Sequence, residues 1–244
     1  MLELKNPHSV LAVLKRRPHD VSEISISGGA GAAWDEVAEL ARTKRVPVVS
    51  AESRSRRPTN RDQKFERVGA ASAVIKEPPE TPLADLFAGA NESGATGLWL
   101  ALDCLQDPHN VGAIFRTAAF FGVRGILLTE DRSAPLTGTV CDVAAGGVET
   151  VPFAMVTNLK RAFDQAKSAG LWVLGSSEHA KVPLESFSCD RCWLLVLGNE
   201  ERGARQGTLE NCDDVCCIKP TGAVTSLNVS VAAGICISRL ARRV

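Results

Sequence analysis

The chain has 244 residues, enough for one large domain or two modest ones, and its 45% apolar content is ordinary for a globular core. Its 28 Lys and Arg balance 28 Asp and Glu, so net charge gives no hint of nucleic acid, although the charge is unevenly spread. No apolar run is long enough to span a bilayer and no N-terminal signal segment is recognisable, so the expected compartment is the cytoplasm and the eight cysteines are expected to be reduced.

In chain order, Ser9–Arg17 carries Val10, Leu11, Val13 and Leu14 at helical spacing, and Val21–Ile26 alternates as a strand. Gly29-Ala30-Gly31-Ala32-Ala33-Trp34 looks like a dinucleotide fingerprint but has Trp where the third glycine belongs, and reads as a flexible turn. A helix over Ala33–Thr43 and a strand over Val46–Val49 follow, an αβαβ pattern that implies a small α/β layer. Between Arg42 and Arg67 lie nine basic residues, among them Arg54, Arg56 and Arg57, against Glu52, Asp62 and Glu66. Such an excess can attract phosphates; a solvated loop would carry the same charge. Ala70–Ile75 is a further strand. Lys76-Glu77-Pro78-Pro79-Glu80-Thr81-Pro82 then reads as a stiff connector, Leu83–Phe87 as one helical turn, and Asn91–Gly97 as loop. The expected division is a small α/β unit over 1–77, a linker over 78–96 and a second domain over 97–244.

The second domain opens with strand Leu98–Leu102. Asp107 caps a helix that has Pro108 in its first turn and ends at Gly122. Strand Ile126–Leu128, helix Thr137–Ala145, strand Val151–Met155, helix Asn158–Ala169, strand Leu171–Leu174, strand Leu194–Leu197, strand Asp214–Lys219 and a closing helix over Ser226–Arg242 follow. The alternation predicts a parallel sheet with helices on both faces. Apolar strands that run into Gly198 and Pro220-Thr221-Gly222 are buried parallel strands whose C-terminal ends face a ligand crevice. Cys189, Cys192, Cys212, Cys216 and Cys217 have a spacing that would allow a thiolate metal site, but Cys216 and Cys217 lie in an apolar strand and read as small hydrophobes, so no metal is expected.

Three stretches carry a resemblance. Asp107-Pro108-His109-Asn110-Val111-Gly112-Ala113-Ile114-Phe115-Arg116-Thr117-Ala118, Leu197-Gly198-Asn199-Glu200 and Ser226-Leu227-Asn228-Val229-Ser230-Val231-Ala232 match, in order and spacing, the motifs of SpoU-type RNA ribose 2′-O-methyltransferases of the SPOUT superfamily. The similarity runs from about Leu98 to the C-terminus. The resemblance implies an α/β domain tied in a trefoil knot, S-adenosylmethionine as cofactor, and a homodimer built by the helices around Arg116 and Ser226–Arg242. It implies cofactor binding, largely through the main chain, at Leu197, Gly198, Ile218 and Leu227, and a catalytic set of Arg116, Asn110, Glu200, Ser226 and Asn228. Glu200 could anchor the Gly198 turn or position Arg116. Asn110 could bind a phosphate, the ribose or the Ser226–Asn228 loop. His109 is a weaker candidate base than Arg116, for it has no evident partner. The N-terminal part resembles the ribosomal-protein-like domain of rRNA-modifying members, with Arg67-Val68-Gly69 where they carry His-Gln-Gly. The implied substrate is large-subunit rRNA, with guanosine favoured, and the implied RNA contacts are Arg54, Arg56 and Arg57. A tRNA ribose methyltransferase and an inactive RNA-binding protein of the same fold are the alternatives.

Overall fold

The computed structural model describes residues 1–50 and 71–241. The basic stretch with Arg54, Arg56 and Arg57, the Arg67-Val68-Gly69 match and Arg242 lie outside the described residues.

The N-terminal region is a four-stranded sheet in the order β1 (Leu2–Leu4), β4 (Ala71–Ile75), β2 (Val21–Ile26), β3 (Val48–Ser50). Strands β2 and β3 are parallel, and β4 runs antiparallel to both β1 and β2, so the layer is mixed. Helices α1 (Pro7–Arg16) and α2 (Ala32–Thr43) cover it with Val10, Val13, Leu14, Trp34, Val37 and Ala41. Strand β1 escapes sequence reading because three residues show no period. The Gly29–Gly31 turn uses φ values of 86° and 96°, with open space around both glycines, so the need is conformational and not the close approach of a ligand.

A seven-stranded sheet follows, in the order β7 (Phe153–Val156), β6 (Gly125–Thr129), β5 (Gly97–Leu102), β10 (Cys192–Leu197), β8 (Trp172–Ser176), β11 (Asp214–Cys217), β9 (Val182–Pro183). Every pairing in it is parallel, as the alternation predicts. The side chains of β5 and β10 divide by parity. Leu98, Leu100, Leu102, Leu195 and Leu197 join a core with α4 (Pro108–Phe121), α5 (Gly138–Ala144) and α6 (Gly147–Thr150). Trp99, Ala101, Leu194 and Val196 join a second core under α3 (Leu83–Leu86) and α7 (Leu159–Ser168). A strand buried on both faces has no polar side to show, which is why these segments read as continuous apolar runs.

Capping follows the sequence. The Asp107 side chain accepts from the His109 amide at 2.8 Å, and Gly122 ends α4 at φ 71°. Strand β11 ends at Cys217 rather than Lys219, and the closing helix α9 spans Val229–Leu240, with Asn228 as its cap. Ser226 and Leu227 therefore lie in the loop before it, because Asn228 captures the Ser230 and Val231 amides first. Two short helical pieces, α6 and α8 (Gln206–Leu209), are also missing from the sequence reading, being too short to show a period. The Pro-rich connector is strapped down: the Thr81 amide donates to the Phe153 carbonyl, the Met155 amide to Glu80, and Pro78 is buried. All eight cysteines are free thiols, and Cys216 and Cys217 pack in the core. Among the described residues, no three His, Cys, Asp or Glu come together to hold a metal ion, and no helix is long and apolar enough to cross a membrane.

Candidate active site

Because all strands of the seven-stranded sheet are parallel, the loops that follow β5, β10 and β11 emerge at one edge. The loop after β10 turns back sharply. Asn199 and Gly203 exchange two main-chain hydrogen bonds, and a Cβ on Gly198 would fall on the backbone of Gly203 and Ala204, so only glycine fits there. Asp103, fully buried just past β5, pins the far end of this loop. Its carboxylate receives Arg205 Nη2 at 2.7 Å and the Arg205 amide and Nε at 3.2 Å. Hydrogen bonding to Asp103 holds the Arg205 guanidinium above its ordinary pKa. Sequence reading missed this pair. The signal was an acid that closes an apolar run, but its partner 102 residues away is visible only in the fold.

Three matching stretches meet at one hydrogen-bonded chain. Glu200 accepts from the Gln106 and Asp107 amides at 3.4 and 3.3 Å and from Asn110 Nδ2 at 3.1 Å. Asn110 Oδ1 accepts from Asn228 Nδ2 at 3.1 Å. Asn228 Oδ1 accepts from the Ser230 hydroxyl at 2.6 Å and the Ser230 amide at 2.9 Å. A carboxylate can only accept, so Glu200 fixes the orientation of the Asn110 amide, and Asn110 fixes that of Asn228. Asn110 is buried, so an unmade bond there would be costly. Glu200 thus anchors the start of α4; it does not reach Arg116.

Arg116 projects from another face of α4. Its side chain is exposed and forms no hydrogen bond or ion pair with the described residues. Six residues along a helix rotate by about 240°, so Arg116 cannot share the face of Asn110. Its neighbours on the outer face are His109 and Phe120, both exposed. Ser226 is exposed and makes no hydrogen bond with the described residues. Of the candidate cofactor positions, Leu197 is buried and its carbonyl takes the Asp103 amide. Gly198, Ile218 and Leu227 lie on loops beyond β10, beyond β11 and before α9, and their main-chain groups form no hydrogen bond with the described residues. Free amides and carbonyls on converging loops suit a ligand with a neutral base and a charged amino-acid end. His8, His19, His109 and His179 are all exposed.

A profile of the SpoU rRNA Methylase family matches residues 97–238. A Nitrosomonas europaea protein named 23S rRNA (guanosine-2′-O-)-methyltransferase RlmB is 43% identical over 169 residues, which cover 69% of this chain and 64% of that protein. The Pseudomonas aeruginosa protein of the same name is 35% identical over 239 residues, 97% of this chain and 94% of that one. Among solved structures, the SpoU methyltransferase AviRb from Streptomyces viridochromogenes in complex with AdoMet superposes with a TM-score of 0.75 at 20% identity, covering 97% of this chain and 87% of that one. By its matched domain and its full-length relatives, this chain belongs to the SpoU rRNA methylase family.

Proposed function

We infer that the chain is an S-adenosylmethionine-dependent RNA ribose 2′-O-methyltransferase acting on large-subunit rRNA. The observation that carries the reading is the Glu200–Asn110–Asn228 chain, which joins all three matching stretches beside loops with free main-chain groups. The substrate follows the two relatives named for guanosine 2′-O-methylation of 23S rRNA.

The cofactor supplies an electrophilic methyl group, so the protein's share is alignment and charge. Leu197, Gly198, Ile218 and Leu227 are the positions that would hold it. Glu200, Asn110 and Asn228 lock the start of α4 to the start of α9, and Ser226, exposed on the loop that leads into α9, would face the substrate. Arg116 supplies a fixed positive charge. A guanidinium is too weak a base to take the hydroxyl proton in its ordinary state. Its role is to hold a substrate phosphate or to stabilise the oxygen as its proton leaves.

Residues 1–77 are proposed as the RNA-capturing unit, with Arg54, Arg56 and Arg57 as phosphate contacts and residues 78–96 as the linker to the methyltransferase domain. A threaded, knotted path is supported by the position of β10, which lies between the earlier β5 and β8. A homodimer is supported by the exposed Phe120 on α4 and by Val231 and Ile235, exposed on α9, while Ala233, Cys236, Ile237 and Leu240 of α9 are buried within the protomer. The cytoplasm is the proposed location.

The test is to incubate the full chain with methyl-labelled S-adenosylmethionine and large-subunit rRNA and to map the label. Methylation of one ribose 2′-oxygen is expected. Label on a base, or none, would overturn the reading.

A further inference from the structure

Helix α1 of the N-terminal sheet is gripped at both ends by the α5–α6 hairpin of the methyltransferase domain. At its start, the Asp142 carboxylate accepts from the Lys5 amide at 2.8 Å and the Asn6 amide at 2.9 Å, and Asn6 Nδ2 donates back to the Asp142 carbonyl at 2.7 Å. Just past its end, Glu149 receives Arg17 Nε at 2.8 Å and Nη2 at 2.7 Å, a bidentate pair with side chains only 8% and 7% exposed. Arg17 Nη1 donates to the Lys76 carbonyl at 2.9 Å, which ties in the connector as well. Between the two grips the turn touches the middle of α1: a Cβ on Gly146 would lie 2.8 Å from the Ala12 Cβ.

The other side of the same hairpin lies against α4. A Cβ on Gly147 would sit 2.7 Å from the Phe115 carbonyl oxygen and 3.0 Å from the Arg116 nitrogen. A Cβ on Gly112 would sit 2.8 Å from the Val140 carbonyl. Helices this close move together, since neither contact leaves room for a slide. The hairpin is therefore a stiff spacer between α1 and the backbone of Arg116. Nothing in methyl transfer itself requires a buried Arg17–Glu149 pair. Such a pair contributes little net stability against apolar replacements, but it fixes one geometry.

We propose that Asp142 and Glu149 are positioning residues for methyl transfer. By gripping both ends of α1 from the hairpin that backs Arg116, they make the N-terminal sheet and the Arg116 helix one rigid ruler for the RNA. The proposal rests on the reading of the N-terminal region as the RNA-capturing unit.

The test uses the full chain with Glu149→Gln and Asp142→Asn, and a third variant, Arg17→Met with Glu149→Leu, which removes both buried charges at similar volume and so keeps the fold. Three quantities are read: the radius of gyration by X-ray scattering, binding of S-adenosylmethionine and of an rRNA fragment, and kcat on that fragment. The radius of gyration should increase and both affinities should stay within about three-fold, while kcat falls by about 10- to 100-fold, because capture survives and alignment does not. A merely structural role would lower the melting temperature and leave kcat intact well below it. Full kcat in a variant whose radius has grown would overturn the positioning role, and an unchanged radius in the charge-free variant would overturn the grip. A wild-type chain that methylates no RNA would overturn the functional reading and the positioning role with it, and scattering would still decide the grip.

Discussion

Asn228 has two duties that two substitutions separate. Its Oδ1 caps α9 through the Ser230 amide at 2.9 Å and the Val231 amide at 3.4 Å, and its Nδ2 donates to Asn110 at 3.1 Å. Asn228→Ala removes both. Loss of the cap costs about 1 kcal/mol, and loss of the bond to the buried Asn110 oxygen costs about 1 kcal/mol more. A total near 2 kcal/mol lowers the melting temperature by about 4–8 °C in a chain of this size. Asn228→Asp keeps the cap and places an anion at a helix N-terminus, which contributes about 0.3–1 kcal/mol. It removes the donor, however, and leaves Asn110 between two carboxylates with one NH2 group. Only one side can then be satisfied. The expected result is stability within about 1 kcal/mol of the parent but turnover reduced about ten-fold or more, since each 1.4 kcal/mol of misalignment is a factor of ten. Thermal unfolding and methyl transfer to rRNA, measured on all three proteins, decide it. Parental turnover in Asn228→Asp would refute the role of the chain, and equal destabilisation by both substitutions would refute the capping account.

Arg116→Ala should abolish turnover with S-adenosylmethionine affinity within a few fold, because the side chain is exposed on a helix away from the cofactor loops; calorimetry and single-turnover assays check it. Neutralising Arg54, Arg56 and Arg57 together should flatten the salt dependence of RNA binding, by up to about one log–log unit for each phosphate no longer neutralised, and an unchanged slope would assign that stretch to solvent. Val231→Asp with Ile235→Asp should turn a sedimenting dimer into a folded monomer, whereas Ile237→Asp should misfold because Ile237 is fully buried within the protomer; a dimer that survives the first pair would remove α9 from the interface. Burial pushes the thiols of Cys141, Cys216 and Cys236 up to about 12, so alkylation of the native protein at pH 8 should spare them and reach the partly exposed Cys189, as mass spectrometry can read.

The sequence by itself determined the layered α/β architecture of the larger sheet. Runs such as Gly97–Leu102 and Cys192–Leu197 are apolar on both parities, and only a parallel strand covered on both faces needs that. It also placed the ends of α4, because Asp107, Pro108 and Gly122 act locally. The candidate residues were legible as three separate stretches. Which of them touch was not, since hydrogen bonds that span 90 and 118 residues depend on strand order, and strand order leaves no local pattern. The same reason hid the Asp103–Arg205 and Arg17–Glu149 pairs, whose members look like ordinary charges until the fold brings them together, with Asp103 and both members of the second pair buried. Tertiary structure alone decided that Glu200 serves Asn110 and not Arg116, that Ile237 faces inward while Ile235 faces out, and that the N-terminal sheet rests on the hairpin that backs the Arg116 helix. In each case helical rotation or chain return, not residue type, set the outcome.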